Sequence, residues 1–317
     1  MGAFFHAVHV FFDHLAAVHW APLGIALALH VVKLLFRAIA WRAILRAAYP
    51  EQCPKLRSTF GAYMAGVGVN SVAPARGGDL VKLYLIKHRI PDAKYATLAP
   101  TLVVETIFDF FVAGALMVWA LSIGVLPTHQ VYSRIPTVDW KFFLRHEQLT
   151  LGILALLALL GIVGFVWMRR RVEEFRERVG RGFAILRDPP RFLRGVILPQ
   201  AVSWLLRIAS LYYFLMAFGV HATLHNALLV QVVDSLATLF PATPGGAGTK
   251  QGLIVYVFRR VRPRPAGTLL VAFSVGMNIA MVVCNLVLGL AALAVMAKTL
   301  SWKRLRLAQR KEQEQAA

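Results

Sequence analysis

The run Val69-Asn-Ser-Val-Ala-Pro-Ala-Arg-Gly-Gly-Asp-Leu-Val-Lys82 decides how this chain is read. An apolar segment enters it and stops at Pro74, whose ring and missing N–H end a helix. The charged turn Arg76-Gly77-Gly78-Asp79 follows, and then a short amphipathic run, Leu80 to Ile90, carrying Lys82, Lys87 and Arg89. A similar run comes late in the chain, Leu239-Phe-Pro-Ala-Thr-Pro-Gly-Gly-Ala-Gly248. Each reads as apolar helix, Pro-Ala, Gly-Gly, second short helix. Paired helix breaks in corresponding halves of a membrane protein point to a substrate site.

Composition fits that setting. Apolar residues are 58% of the 317 and mean hydropathy is +0.62, far above a soluble domain. A net charge of +20 would suggest nucleic acid in a soluble protein. Here the basic residues sit in short blocks at the ends of apolar stretches, which is the positive-inside pattern, so nucleic acid is not an expected partner. Cys53 and Cys284 are the only cysteines. Far apart and without ligand spacing, they give neither a disulfide framework nor a zinc site. The start of the chain lacks the basic n-region of a cleaved signal peptide, so no processing is expected.

Outward from the motif, the chain divides into spans. Residues 1–19, with His6, His9, Asp13, His14 and His19, read as an interfacial helix. Trp20 to Trp41 is a first span with a tryptophan at each end. His30, Lys33 and Arg37 share one face of it. Arg37 and Arg42 are expected to snorkel to the near edge, and Lys33 to face a polar interior. Thr59 to Pro74 is shorter than the ~20 residues a crossing helix needs and has basic flanks on both sides, so 59–90 reads as a re-entrant hairpin. Tyr95 to Gly124 is a span holding Glu105 and Asp109, four apart and so on one face. Residues 125–148 read as an external loop, Leu149 to Met168 as a clean span, and Arg169 to Arg194 as a cytoplasmic solvated helix. Gly195 to Phe218 is a span with Arg207 near its middle. Residues 219–225 carry no Lys or Arg and read as an external turn. Asn226 to Pro241, with Asp234, and Thr249 to Arg260 make a second hairpin. Ala266 to Ala297 is long enough to cross with strong tilt.

The expectation is an all-α polytopic integral membrane protein with roughly five full spans, or up to seven if both motif segments cross. Residues 1–300 form one transmembrane domain of two half-repeats, about 20–124 and 195–297, inverted relative to each other, with hairpins entering from opposite sides. The cluster Arg259, Arg260, Arg262 and Arg264 then falls outside, against the positive-inside rule. The basic tail 301–317 is expected to be cytoplasmic and disordered.

Two constellations carry possible chemistry. Gly77-Gly78 and Gly245-Gly246 let backbone amides approach a ligand, and a helix N-terminus behind such a turn favours anions. Arg76 and Lys82 add fixed charge, so the composite suits a phosphate headgroup. The competing reading is a helix break packed against a neighbour. The second constellation is charge inside the membrane, which needs partners: Glu105, Asp109, Asp79 and Asp234 against Arg76, Lys33 and Arg207. If all pair, the network is structural. A cation left over awaits an anionic substrate. Nothing resembles a catalytic triad or a nucleotide fingerprint, so neither catalytic residues nor a cofactor or resident metal are expected. Three carboxylates beside a phosphate site also suit Mg²⁺, which keeps open a membrane glycosyl- or phosphotransferase using Asp79 and Glu105 on a polyprenyl phosphate.

At these residues the chain resembles the lysylphosphatidylglycerol synthase transmembrane-domain, or flippase-like, family. The resemblance rests on Asn70-x-x-x-Pro74-x-Arg76-Gly77-Gly78-Asp79-x-x-Lys82, on Glu105-x-x-x-Asp109, on Pro241-x-x-Pro244-Gly245-Gly246-x-Gly248, and on Arg37 to Arg42. It implies a multi-pass bacterial inner-membrane protein that moves a lipid, or helps to move it, between leaflets. Substrate contacts are then expected from the two Pro/Gly turns, Asn70 and Pro74 included. Lys33, Glu105, Asp109, Arg207, Asp234 and Gln251 would form the intramembrane polar network. The partners implied are membrane lipids, and a separate lipid-modifying enzyme, since the soluble synthase of the best-known members is not expected here. The chain departs from the family at Thr106 and Lys82, where Arg is common, and at Gln251, where Glu is common. The missing carboxylate at Gln251 puts a cation-coupling role there in doubt.

Overall fold

The computed structural model describes residues 17–73, 77–123, 172–239, 249–258 and 265–316. The described residues are helical, without strands. Helix α1 is Trp20–Ala48, α2 Leu56–Asn70, α3 Gly77–Lys87 and α4 Tyr95–Ser122. Helix α5 is Val172–Gly182. A 3₁₀ turn, Ala184–Arg187, leads to α6, Pro189–Ala217, which contains a π turn at Leu193–Ile197. Helices α7 Leu224–Leu239, α8 Thr249–Phe258 and α9 Gly267–Ala316 complete the order. The tail, expected to be disordered, instead continues α9 as helix through Ala316. Its Lys, Arg, Gln and Glu residues are good helix formers and extend a helix already nucleated.

Four described helices are long and apolar enough to cross a membrane: α1, α4, α6 and the Gly267–Lys298 part of α9. The fifth expected span, Leu149 to Met168, lies outside the described residues. So do residues 1–16, Pro74, Ala75 and Arg76, the loop 125–148, Pro241 through Gly248, and the Arg259 to Arg264 cluster. Large apolar side chains point outward on the spans, among them Phe110 and Phe111 on α4 and Val287 and Leu290 on α9. A row of exposed apolar side chains along a long helix is a lipid-facing surface.

Helices α2 and α3 are too short to cross. Fifteen residues rise about 22 Å against a core of about 30 Å, and the pair folds back as the first hairpin. Its base is at the basic end of the molecule. There Gly182 packs under Pro100, Gly195 meets Ala43, and Arg89 donates to the carbonyl of Met296 at 3.2 Å. The basic stretches 42–57, 87–94 and 177–194 and the end of α9 thus collect on one side. The opposite end carries the backbone bond from His19 N–H to the Ala217 carbonyl, 2.9 Å, and the ring contact of Trp119 with His225. Helix α7 starts from that end, so the second hairpin enters from the other side.

Two apolar cores result. One holds Trp41, Ile44, Met64, Ile86 and Leu98 at the basic end; the other holds Ala26, Phe214, Leu229, Ile254 and Phe273 at the far end. The first hairpin is fastened by glycine. A Cβ on Gly68 would lie 2.7 Å from the Cα of Gly289 on α9, and the reverse holds. In a bilayer such small-residue crossings replace hydrophobic driving force with close backbone contact. Within the hairpin, a Cβ on Gly78 would overlap the Gly66 carbonyl oxygen and come within 2.8 Å of Asn70. Gly78→Ala should therefore lower stability by about 1–3 kcal/mol. Gly77→Ala, whose methyl would meet only the Ala73 Cβ at 3.4 Å, should be near neutral. Thermal unfolding in detergent compares the two.

Candidate functional site

Between the two cores lies a layer of charge, built from α1 outward. Arg37 sits one helical turn past Lys33 on the inward face of α1. It does not snorkel to the edge. Its Nε donates to Tyr63 Oη at 2.8 Å and its Nη1 to Asp109 Oδ1 at 3.0 Å, with Nη2 shared between Asp109 and Glu105. The register of α4 makes this possible, since positions 105 and 109 are one turn apart. Glu105 is buried. It accepts from Tyr63 Oη at 2.7 Å through one oxygen and from Lys82 Nζ at 2.6 Å through the other. Lys82 lies over the rings of Trp41 and Tyr63, 4.3 and 4.1 Å from their centroids. A buried cation with a carboxylate and two aromatic faces is fully compensated.

The chain of contacts continues across the molecule. Trp204 on α6 donates its indole N–H to Asp109 Oδ1 at 2.8 Å and lies under the Arg207 guanidinium, 5.3 Å from ring centroid to carbon. Arg207 faces Asp234 on α7 at 3.8 Å, and Asp234 is paired at 2.6 Å with Lys250 on α8. Gln200 fixes α4 by donating to the Glu105 carbonyl at 2.9 Å. Ion pairs and aromatic bridges thus link Lys82 of the first hairpin to Lys250 of the second through α4, α2, α1, α6 and α7. Most members are shielded. Asp109 and Arg207 are the open ones, with 28% and 31% of their side chains accessible. A cavity of about 180 Å³ beside Arg37, Asn70, Asp79, Glu105 and Asp109 is ample for several ordered waters.

The first glycine turn is used for closure. Gly78 N–H donates to Asn70 Oδ1 at 2.7 Å, and Asn70 Nδ2 donates to Asp79 at 3.3 Å. That amide therefore has a protein partner, and the reading as a helix break packed against a neighbour describes it. Among the expected residues, Asn70, Gly77, Gly78, Asp79, Lys82, Glu105 and Asp109 come together around the first hairpin. Arg207 and Asp234 meet at the second. Gln251 follows Lys250 on α8 and has a partner of its own. Lys33 makes no ion pair with a carboxylate among the described residues and bonds to His30 Nδ1 at 3.1 Å, while His30 Nε2 meets Asn285 Oδ1 at 2.9 Å. Pro74, Arg76, Pro244, Gly245, Gly246 and Gly248 lie outside the described residues. No group of three His, Cys, Asp or Glu suited to a metal occurs among the described residues.

Four participants went unmarked in the sequence: Tyr63, Gln200, Trp204 and Lys250. Lys250 carried a signal, because Gly78-x-x-x-Lys82 and Gly246-x-x-x-Lys250 repeat the same spacing. The aromatic pair had none, since Tyr and Trp abound in any apolar chain of this kind.

The comparisons agree with this architecture. Residues 3–289 match the model of the lysylphosphatidylglycerol synthase TM region, and the chain belongs to that family. A "UPF0104 membrane protein" of Methanothermobacter thermautotrophicus is 21% identical over 242 residues, covering 73% of this chain and 71% of the relative. Another, of Methanocaldococcus jannaschii, is 20% identical over 203 residues, covering 60% and 79%. No solved structure matches. A membrane protein with several apolar helices is thus established, without a particular organism's membrane.

Removing one partner of the deepest pair should be severe. Glu105→Gln leaves Lys82 buried and uncompensated, at a cost of about 3–5 kcal/mol. Adding Lys82→Met should recover more than half of that loss, because the lone charge goes too. Melting temperatures of the two single variants and the double variant test this coupling.

Proposed function

We propose that the chain moves a lipid with an anionic headgroup, a phospholipid or a lipid-linked substrate, between the leaflets of its membrane. The observation that carries this reading is the continuous polar chain joining two hairpins that enter from opposite ends. Charge inside a bilayer is expensive and marks function by default. A simple structural pair would need two residues; this one links seven helices and stays open at Asp109 and Arg207. Its geometry also suits partner exchange, because Arg37 already divides its donors between Asp109 and Glu105. As one hairpin tilts, a guanidinium can pass from one carboxylate to the other without ever being bare.

The family supports a lipid-related role, and in this reading Arg76, Asp79 and the accessible face of Arg207 receive the headgroup. A separate lipid-modifying enzyme is the partner this reading suggests, as the source of the lipid to be moved. A transferase holding Mg²⁺ on Asp79 and Glu105 would first have to release Lys82 from Glu105, which the packing around that pair opposes. The membrane in question is read as the bacterial inner membrane on the strength of the resemblance alone.

The test is leaflet exchange of fluorescent anionic, aminoacylated and neutral phospholipids in proteoliposomes. Wild-type protein should accelerate exchange of a charged lipid over empty vesicles. Asp79→Asn and Arg76→Ala should each reduce exchange at least tenfold at equal expression. Unchanged exchange in Arg76→Ala removes Arg76 from the site, and turnover of a polyprenyl-phosphate donor that is lost on chelation would favour the enzyme reading instead.

A further inference from the structure

The two ends of the polar chain are not equivalent. At the first hairpin, Arg37 and Lys82 are matched by Glu105 and Asp109. At the second, the carboxylate of Asp234 faces both Arg207 and Lys250. Lys33 adds a third cation there. The antiparallel register of α1 and α6 fixes its place. Ser210 Oγ donates to the Ala26 carbonyl at 2.8 Å, and Gly195 meets Ala43, so Lys33 is level with Trp204 and about one turn from Arg207. Arg207 and Arg37 are within electrostatic reach of Lys33, as are the carboxylates of Asp234 and Asp109.

We propose that Lys33 and Arg207, at the level of Trp204, form a binding site for the phosphate of an anionic ligand. A lysine ammonium has three N–H donors. Lys33 directs one to His30 Nδ1, and His30 is held by Asn285 on α9. That arrangement needs Nε2–H on the imidazole as the donor to Asn285, which leaves Nδ1 free to accept. His30 therefore orients the ammonium without neutralising it. The remaining donors of Lys33 and the accessible edge of the Arg207 fork have the charge and hydrogen-bond pattern that phosphate accepts. Lys33, Arg207 and Lys250 outnumber Asp234, the nearby Asp109 is already paired with Arg37, and one more anion relieves the repulsion. The site lies away from the first glycine turn, where the cations already have their carboxylates.

The inference rests on the lipid-moving reading only for the source of the phosphate, either a lipid headgroup or the free ion. Binding is therefore measured without transport. Purified full-length protein in detergent is melted with and without dioleoylphosphatidylglycerol, dioleoylphosphatidylcholine or inorganic phosphate, since a ligand of the native state raises the melting temperature. Phosphatidylglycerol should protect and phosphatidylcholine should not. Protection by phosphatidylglycerol alone identifies a lipid headgroup; protection by inorganic phosphate as well identifies the phosphate itself. Lys33→Met should weaken the protecting ligand at least tenfold while leaving the unliganded protein as stable as wild type or more so. Lys33→Arg should retain binding, and Arg191→Gln, at an exposed pair far from the site, should change nothing. Wild type unprotected by any anion overturns the proposal. So does a Lys33→Met protein that binds as before, or one that is destabilised or fails to fold without ligand, because Lys33 would then be structural. Binding without leaflet exchange would leave the site standing and remove the transport reading.

Discussion

A guanidinium placed within a bilayer has to be compensated where it stands, and Arg37 sets that condition for this molecule. Its guanidinium ties three helices together, donating to Tyr63 on α2 and to Asp109 and Glu105 on α4 from a seat on α1. The helices must hold those positions for the charge to be tolerable, because loss of any acceptor exposes a desolvated cation. Much else follows from it. Glu105 is oriented by Tyr63 and so presents its second oxygen to Lys82. Asp109 is held by Arg37 and so can accept from Trp204, which brings in α6. Apolar packing in lipid gives little selectivity between helix faces; the directional bonds of this layer supply it.

The layer also divides the protein mechanically. The core around Trp41 and Ile86 belongs to the first hairpin, and the core around Phe214 and Ile254 belongs to the second. Each is an ordinary close-packed cluster. Between them are groups that can exchange partners at modest cost as long as each charge keeps one. A molecule built as two firm bodies with a polar seam has its softest mode at the seam, where Asp109 and Arg207 reach solvent.

Much of the fold could be read in the chain because lipid imposes simple rules. Span lengths, the basic blocks at their ends and the shortness of 56–70 follow from bilayer thickness and the cost of unpaired backbone. Glu105 and Asp109 could be placed on one face from their spacing alone. The pairings could not, because they join residues such as Arg37 and Asp109 whose proximity depends on how α1 and α4 pack. The same limit explains Arg37, which helical spacing put on the face of Lys33 but whose end-of-span position suggested an edge. Tyr63 and Trp204 were invisible because an apolar chain uses such rings everywhere, and only the hydrogen bond to a carboxylate of the charged layer tells these two apart. The tail shows the opposite failure. Its charge density suggested disorder, yet it follows a long helix without any Gly or Pro to stop it.

The crossing of Gly68 and Gly289 has one further consequence. Most helix pairs lock through ridges of side chains seated in grooves, and turning one against the other means lifting every ridge. Here backbone meets backbone, with no side chain on either residue to obstruct. Such a contact resists being pulled apart, since all its dispersion energy comes from closeness, and any side chain added to either residue would force the two helices apart. The first hairpin is thus held flush against the last span, with the glycine crossing at one end of the contact and Met296, beside Gly61 and bonded to Arg89, at the other.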